Sequence, residues 1–249
     1  MAILNNTRSR TIFATLSVLG LVVMYWAIQP SSPDFNTFEA GTERKNAFFS
    51  YFLPIIQQRN QEILETRQQL QEWELNRNRI NWWDARRIRG VAEDYRMETF
   101  DIESDSDWST LLRRVDIVPP SLALAQAATE SAWGTSHFSL QGYNYFGQWC
   151  FKKGCGIVPA RRDAEKKHEV AVFDSPERSV ESYIHNLNSY DTYKPLRDIR
   201  AKLNAARIPI TGMALADGLG KYSERGEDYI EEIRSMIRNN NLIRFDSVF

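Results

Sequence analysis

The stretch Pro119–Gly134, "PPSLALAQAATESAWG", decides how the rest of the chain is read. Between Ser121 and Ala128 it offers no charged side chain at any helical position. A helix that is apolar on every side belongs inside a domain rather than on its surface. The two prolines fit its first turn, where no amide donor is missed, and Gly134 supplies a left-handed stop. The one ionisable side chain is Glu130, close to the C-terminal end. At the edge of a buried helix that carboxyl loses solvent, which disfavours its ionised form. Partial negative charge at a helix C-terminus pushes the same way, and Trp133, within one turn, can wall off water. A carboxylic acid that keeps its proton toward neutrality is what protonation of a glycosidic oxygen requires. The bland alternative, a solvated surface glutamate, needs a charged face that this helix lacks.

Outward from this helix the pattern is mostly helical. From Glu43 to about Arg79, apolar residues including Phe48, Phe52, Ile56, Ile63 and Leu70 recur at helical intervals, with Pro54 expected to start or kink a helix. "NWWDARRIRGVAEDYRM" predicts a second amphipathic helix opening near Asn81 or Asp84, and "SDSDWSTLLRRV" a third, with Ser106 or Asp107 as its N-cap. Between Phe146 and Phe173 the helical pattern vanishes. There "CGIVPARR" and "HEVAVF" alternate like short strands, with "DAEKK" as the turn between them. Helices resume at "SPERSVESYIHNLNSY", where Ser175 caps and Pro176 takes the first position, and continue through "PLRDIRAKLNAAR", "GMALADGLG" and "YSERGEDYIEEIRSMIRNNN". The expected class is α+β, mainly helical, with a small β-hairpin lobe.

With 31 basic and 32 acidic residues, the chain carries no basic footprint of a nucleic-acid binder. No glycine-rich phosphate loop appears, so no cofactor is implied, and His137, His168 and His185 form no metal-ligand or nucleophile pattern. Cys150 and Cys155 are expected to pair as a disulfide in an oxidising compartment rather than to bind metal. At the N-terminus, "MAILNNTRSR" is basic, and Thr11–Ile28 runs without a charge. About 18 apolar residues reach the lower limit for spanning a bilayer. A cleavable signal peptide is the competing reading, but no small-x-small cleavage pattern follows. The expectation is a cytoplasmic tail at 1–10, a transmembrane helix at 11–28 as membrane anchor, and a linker at 29–42. A helical segment at 43–105 and the main domain at 106–249 then face the periplasm from a single-pass inner-membrane protein.

"ATESAWGTS" followed by "NYFGQWC" resembles the glucosaminidases of glycoside hydrolase family 73, in the lysozyme superfamily, and within them the Bax-type group of bacteria. "RVDIVPPSLALAQAATESAWGTS", the cysteine pair, "VFDSPERSVESYIHNLN" and "KYSERGEDY" carry the resemblance across about 44–241. Ala132 stands where the motif has glycine, and Tyr145 where it has leucine. The resemblance implies a lysozyme-like domain that binds peptidoglycan glycan strands, with Glu130 as general acid. It also implies a groove shaped by Ser131, Asn144, Tyr145, Phe146 and Gly147, with Trp149 on its wall. A second carboxylate on the hairpin lobe is Glu165 or Glu169, and Tyr222 or Tyr229 is the tyrosine beside the acid. The implied reaction cuts the β-1,4 bond after N-acetylglucosamine. Lytic transglycosylation, muramidase action and a non-catalytic wall-binding scaffold are the alternatives.

Overall fold

The computed structural model describes residues 32–159 and 168–248. The chain divides into two units, Met1–Pro33 and Asp34–Phe249, and the first is described only at Ser32 and Pro33. In the second, a 3₁₀ turn at Phe35–Thr37 leads into α1 (Thr42–Leu75), α2 (Trp82–Asp94), α3 (Asp105–Arg114), α4 (Pro120–Glu130) and α5 (His137–Gly142). Then come β1 (Trp149–Cys150), β2 (Gly156–Ile157) and β3 (Glu169–Ala171), followed by α6 (Pro176–Ser189), α7 (Lys194–Ala206), α8 (Gly212–Leu215) and α9 (Glu227–Asn239). A last 3₁₀ segment occupies Leu242–Val248.

Helix α4 is the axis of the core. Every residue from Pro120 to Ala128 is buried, as a helix without a charged face demands. Helix α1 lays Phe48, Phe52 and Ile56 into the same cluster, and α9 adds Tyr229, Ile230 and Ile233. Two polar devices fix where α4 starts. The Asn60 side chain donates to the Val118 carbonyl at 2.8 Å and accepts the Val118 amide at 3.1 Å. Asp246 accepts the Ser121 amide at 2.9 Å and the Ser121 hydroxyl at 2.6 Å, so a carboxylate sits on the positive end of the helix.

Helix boundaries follow their caps. The Asn81 side chain accepts the Trp83 and Asp84 amides and opens α2, and Ser175 accepts the Arg178 amide ahead of Pro176. Helix α3 starts earlier than expected: the cap is Ser104, which accepts the Asp107 amide, so Ser106 and Asp107 lie within the first turn. Pro54 neither starts nor ends a helix, for α1 runs on through it.

No helix of the described residues is long and apolar enough to cross a membrane. Helix α1 has the length, about 50 Å at 1.5 Å per residue. It carries Glu43, Arg44, Lys45, Arg59, Glu62, Glu65, Arg67, Glu72 and Glu74, however. Such charges cost about 2.5–3.5 kcal/mol apiece near a bilayer centre. The expected fold class is therefore corrected to a mostly helical domain with a small β lobe and no transmembrane helix in the described part. The membrane partner and the inner-membrane, periplasm-facing placement lose their support with it. The segment that suggested them, 11–28, lies outside the described residues.

The lobe is a three-stranded antiparallel sheet in the order β1-β3-β2. Strand β3 pairs Val170 with Trp149 on one side and with Ile157 on the other. A disulfide joins Cys150 to Cys155 across the turn that follows β1. The expected "DAEKK" turn lies outside the described residues.

Candidate active site

Glu130 is the last residue of α4. Beyond it Ala132, Trp133 and Gly134 all adopt left-handed backbone, with φ of 49°, 61° and 77°. This reversal ends the helix and leaves the Glu130 side chain at the base of an open cleft of about 830 Å³. The lobe contributes Trp149, Phe151, His168 and Val170 to the lining of this cleft, and the helical body contributes Tyr190, Tyr193, Tyr222 and Arg225. Phe146, Gly147 and Gln148 line it beside the acid.

The Glu130 carboxyl is raised above the ordinary carboxylate range, chiefly by burial and to a lesser degree by the Glu232 charge. Two partners oppose the rise: a hydrogen bond from Tyr229, whose hydroxyl donates to Oε1 at 2.7 Å, and the Arg225 charge. Its other oxygen, Oε2, lies 3.1 Å from where a side chain on Gly147 would begin. With φ of +62° at that residue, glycine is the fitting choice twice over. Trp133 does not wall off the acid. It packs edge-on against Phe48 and Phe49, at 5.9 and 5.3 Å between ring centroids, and does not line the cleft.

The structure sorts the sequence-predicted residues into two sets. Glu130, Phe146, Gly147, Trp149 and Tyr222 line the cleft. Tyr229 is buried behind the acid and touches it directly, and its phenol is pushed up by burial and by the Glu130 charge. Tyr222 donates to the Phe146 carbonyl at 2.8 Å and lies parallel to Tyr229, the rings 5.5 Å apart. Trp149 is 53% exposed and stacks on His168 at 4.0 Å with the planes 9° apart.

The second set supports the cleft without facing it. The Ser131 hydroxyl donates to the Ala127 carbonyl and accepts the Gly134 amide, tying off the end of α4. Asn144 is buried; its amide donates to the Gln148 and Ala171 carbonyls and accepts the Phe146 and Gln148 amides. Tyr145 packs in the core, 4.5 Å from Phe52 between ring centroids. Glu169 is buried, and its carboxylate accepts the Gly154 and Gly156 amides at 3.0 and 2.9 Å, holding the disulfide turn against β3. Glu165 lies outside the described residues. Cys150, Cys155 and Glu169 bring their ligand atoms together, but both thiols are spent in the disulfide.

Sequence reading missed several groups here. Gln126 on α4 is fully buried and donates to the Tyr229 hydroxyl at 2.9 Å. Tyr183 on α6 donates to the Gln126 carbonyl at 2.6 Å and stacks on Phe146 at 4.0 Å. Gln148 is anchored by Ser182 and Asn186, which donate to its side-chain carbonyl at 2.8 and 2.7 Å. Tyr193 lines the same cleft, its ring 5.9 Å from that of Tyr222, and burial pushes its phenol up to about 12. A glutamine amid alanines is the one such signal visible beforehand, being the only strongly polar residue between Ser121 and Ala128.

The resulting arrangement is a partly desolvated acid, held by a tyrosine, in a cleft lined by aromatic rings. Residues 106–242 match the glucosaminidase family, described as mannosyl-glycoprotein endo-beta-N-acetylglucosaminidase. The chain is 32% identical over 213 residues to Protein bax of Escherichia coli (strain K12), across 84% of this chain and 74% of that protein. Among solved structures it is similar to the catalytic domain of the autolysin Auto from Listeria monocytogenes, with TM-score 0.44 and 16% identity over 98% of this chain and 99% of that one. The extent of the family match and the identity to the E. coli protein show that this chain belongs to the glucosaminidase family and is a glycoside hydrolase.

Proposed function

We propose that the enzyme cuts the β-1,4 bond after N-acetylglucosamine in the glycan strands of peptidoglycan, with Glu130 as the general acid. The observation that carries this reading is the Glu130 carboxyl, raised by burial at the foot of an open aromatic cleft. Glu130 in its protonated form gives its proton to the glycosidic oxygen as the bond to the anomeric carbon breaks. Water then adds to that carbon and loses its own proton, leaving a reducing N-acetylglucosamine end. Trp149 and Tyr190 in the cleft lining offer flat apolar faces for sugar rings.

Water's proton needs an acceptor as the bond to the anomeric carbon forms. Glu169 is occupied with two backbone amides, which makes it a support for the lobe in this reading. Glu165, in the segment outside the described residues, and the N-acetyl oxygen of the substrate itself are the two sources that fit. Among the described residues only Glu224 adds a second carboxylate to the cleft lining. With Glu169 engaged by two backbone amides, the second reading is lytic transglycosylation, which needs one carboxylate.

Digestion of purified sacculi with mass analysis of the fragments tests both readings. Reducing N-acetylglucosamine ends are the expected product; anhydro-muramic ends would replace hydrolysis with transglycosylation. Glu130→Gln should lower fragment release by roughly 10²–10⁴-fold, the usual worth of a positioned acid, while the variant still sediments with sacculi. Release at the wild-type rate would remove Glu130 from the chemistry.

A further inference from the structure

Behind Glu130 a single file of hydrogen bonds runs through the core: Tyr183 Oη to Gln126 Oε1, Gln126 Nε2 to Tyr229 Oη, and Tyr229 Oη to Glu130 Oε1, at 2.6, 2.9 and 2.7 Å. A tyrosine hydroxyl can donate or accept, so two tyrosines and a carboxylic acid alone would leave the direction of the file undefined. A primary amide is different: one end only accepts and the other only donates. With Gln126 between them, Tyr183 must give its proton to Oε1, and Tyr229 must take one from Nε2. The Tyr229 proton then has one place to go, the Oε1 atom of Glu130.

We propose that Gln126 and Tyr183 are positioning residues that set which oxygen of Glu130 carries the transferable proton. Because Oε1 is held as an acceptor by Tyr229, the acid proton resides on Oε2, the oxygen beside Gly147 in the cleft lining. Reversing the file would turn the Glu130 proton inward onto Tyr229, where no substrate can take it. Solvent has little access to the file: Gln126 is fully buried, Tyr183 and Tyr229 nearly so, and Phe146 stacks on the Tyr183 ring. Buried chains of this kind polarise one another, so loss of the far donor weakens the near one.

This inference rests on Glu130 being the proton donor, and the experiment reads the carboxyl directly as well as turnover. The Glu130 titration is followed by carboxyl ¹³C shifts or by infrared difference against Glu130→Gln, and sacculus digestion is measured over the same pH range. In Gln126→Met, which fills the space without a polar end, the Glu130 titration and the alkaline limb of activity should move up by about half to one pH unit. The plateau kcat should fall roughly 2- to 10-fold, the worth of one net hydrogen bond, with KM unchanged. Tyr183→Phe should move the limb in the same direction by less, and it decides the matter if Gln126→Met does not fold. Tyr229→Phe should move it most, and Gln126→Met added to Tyr229→Phe should move it no further. A Tyr183→Phe titration identical to wild type would overturn the proposal, as would additive shifts in the double variant. Carboxyl titrations that shift as expected in the variants, in a protein whose wild type releases no sacculus fragments, would leave the relay standing and remove the peptidoglycan reading instead.

Discussion

Burial withholds solvent from the charged form of Glu130, and the Tyr229 hydrogen bond offsets only part of that loss. The consequence for stability has a definite sign. Below the ordinary carboxylate range both folded and unfolded chains hold the proton, and the site costs nothing. As pH rises through the raised folded value, the folded chain must carry a poorly solvated charge that the unfolded chain would hydrate, so stability is lost. Glu130→Gln should therefore melt at higher temperature than wild type at neutral pH. The gain should vanish at acid pH, where wild type is also neutral. Thermal unfolding across that range checks it, and a gain that persists in acid would mean that packing, not charge, is responsible. Glu130 was legible in the sequence because its helix has no other ionisable group. Its partners were less so: Tyr229 stood among the candidate residues on the strength of a family pattern. Tyr183 lies in an amphipathic helix where a tyrosine carries no signal, and only the fold brings it to Gln126.

The lobe shows how a side chain that looks chemical can be structural. Alternation puts Glu169 on the face opposite Val170, which suggests solvent on one side, yet both residues are buried. The Glu169 carboxylate is taken up by the Gly154 amide in the turn from Cys150 to Cys155 and by the Gly156 amide at the start of β2. Glu169→Gln would set an amide N–H against a backbone N–H and loosen the turn at a cost of about 1–3 kcal/mol. Trp149 sits in the paired strand, so sugar binding should weaken: KM rises several-fold with kcat nearly constant. A kcat collapse instead would identify Glu169 as the base. At this scale, caps made helix starts readable at Asn81 and Ser175. Strand β1 escaped notice because two residues, Trp149 and Cys150, are too few to show a period. The Ser104 cap was masked by a run of four consecutive Ser and Asp side chains competing for the same role.

Across the whole molecule, the part that matches the family is completed by a part that precedes it. Phe48 and Phe52 of α1 close the core over Tyr145 and Trp133, and Phe35 lies so near Gly134 that a Cβ there would meet its ring at 2.3 Å. The helical character of 43–105 was readable from its periodicity, which predicts helices packed on the domain, but which of its rings close the core was not, since an apolar stripe does not name its partners. A protein made from 106–249 alone should expose that apolar face and be cut rapidly by protease under conditions where 32–249 survives; equal resistance would make the helices dispensable. At the other end, Asp246 accepts three hydrogen bonds, from the Ser121 amide and hydroxyl and from the Gly212 amide at 3.0 Å. Asp246→Ala should cost roughly 1–3 kcal/mol, which is a drop of several degrees in Tm for a chain of this size.

That closure also imposes an order of manufacture. The helix that ends in Glu130 is translated midway, but the tyrosine that holds its carboxyl arrives 99 positions after it, and the residue that seats the helix start arrives 125 positions after Ser121. A nascent chain emerging from the ribosome therefore holds a glutamate with neither its tyrosine nor its anchor. The start and the end of that helix are thus fastened last, by residues made after everything they hold.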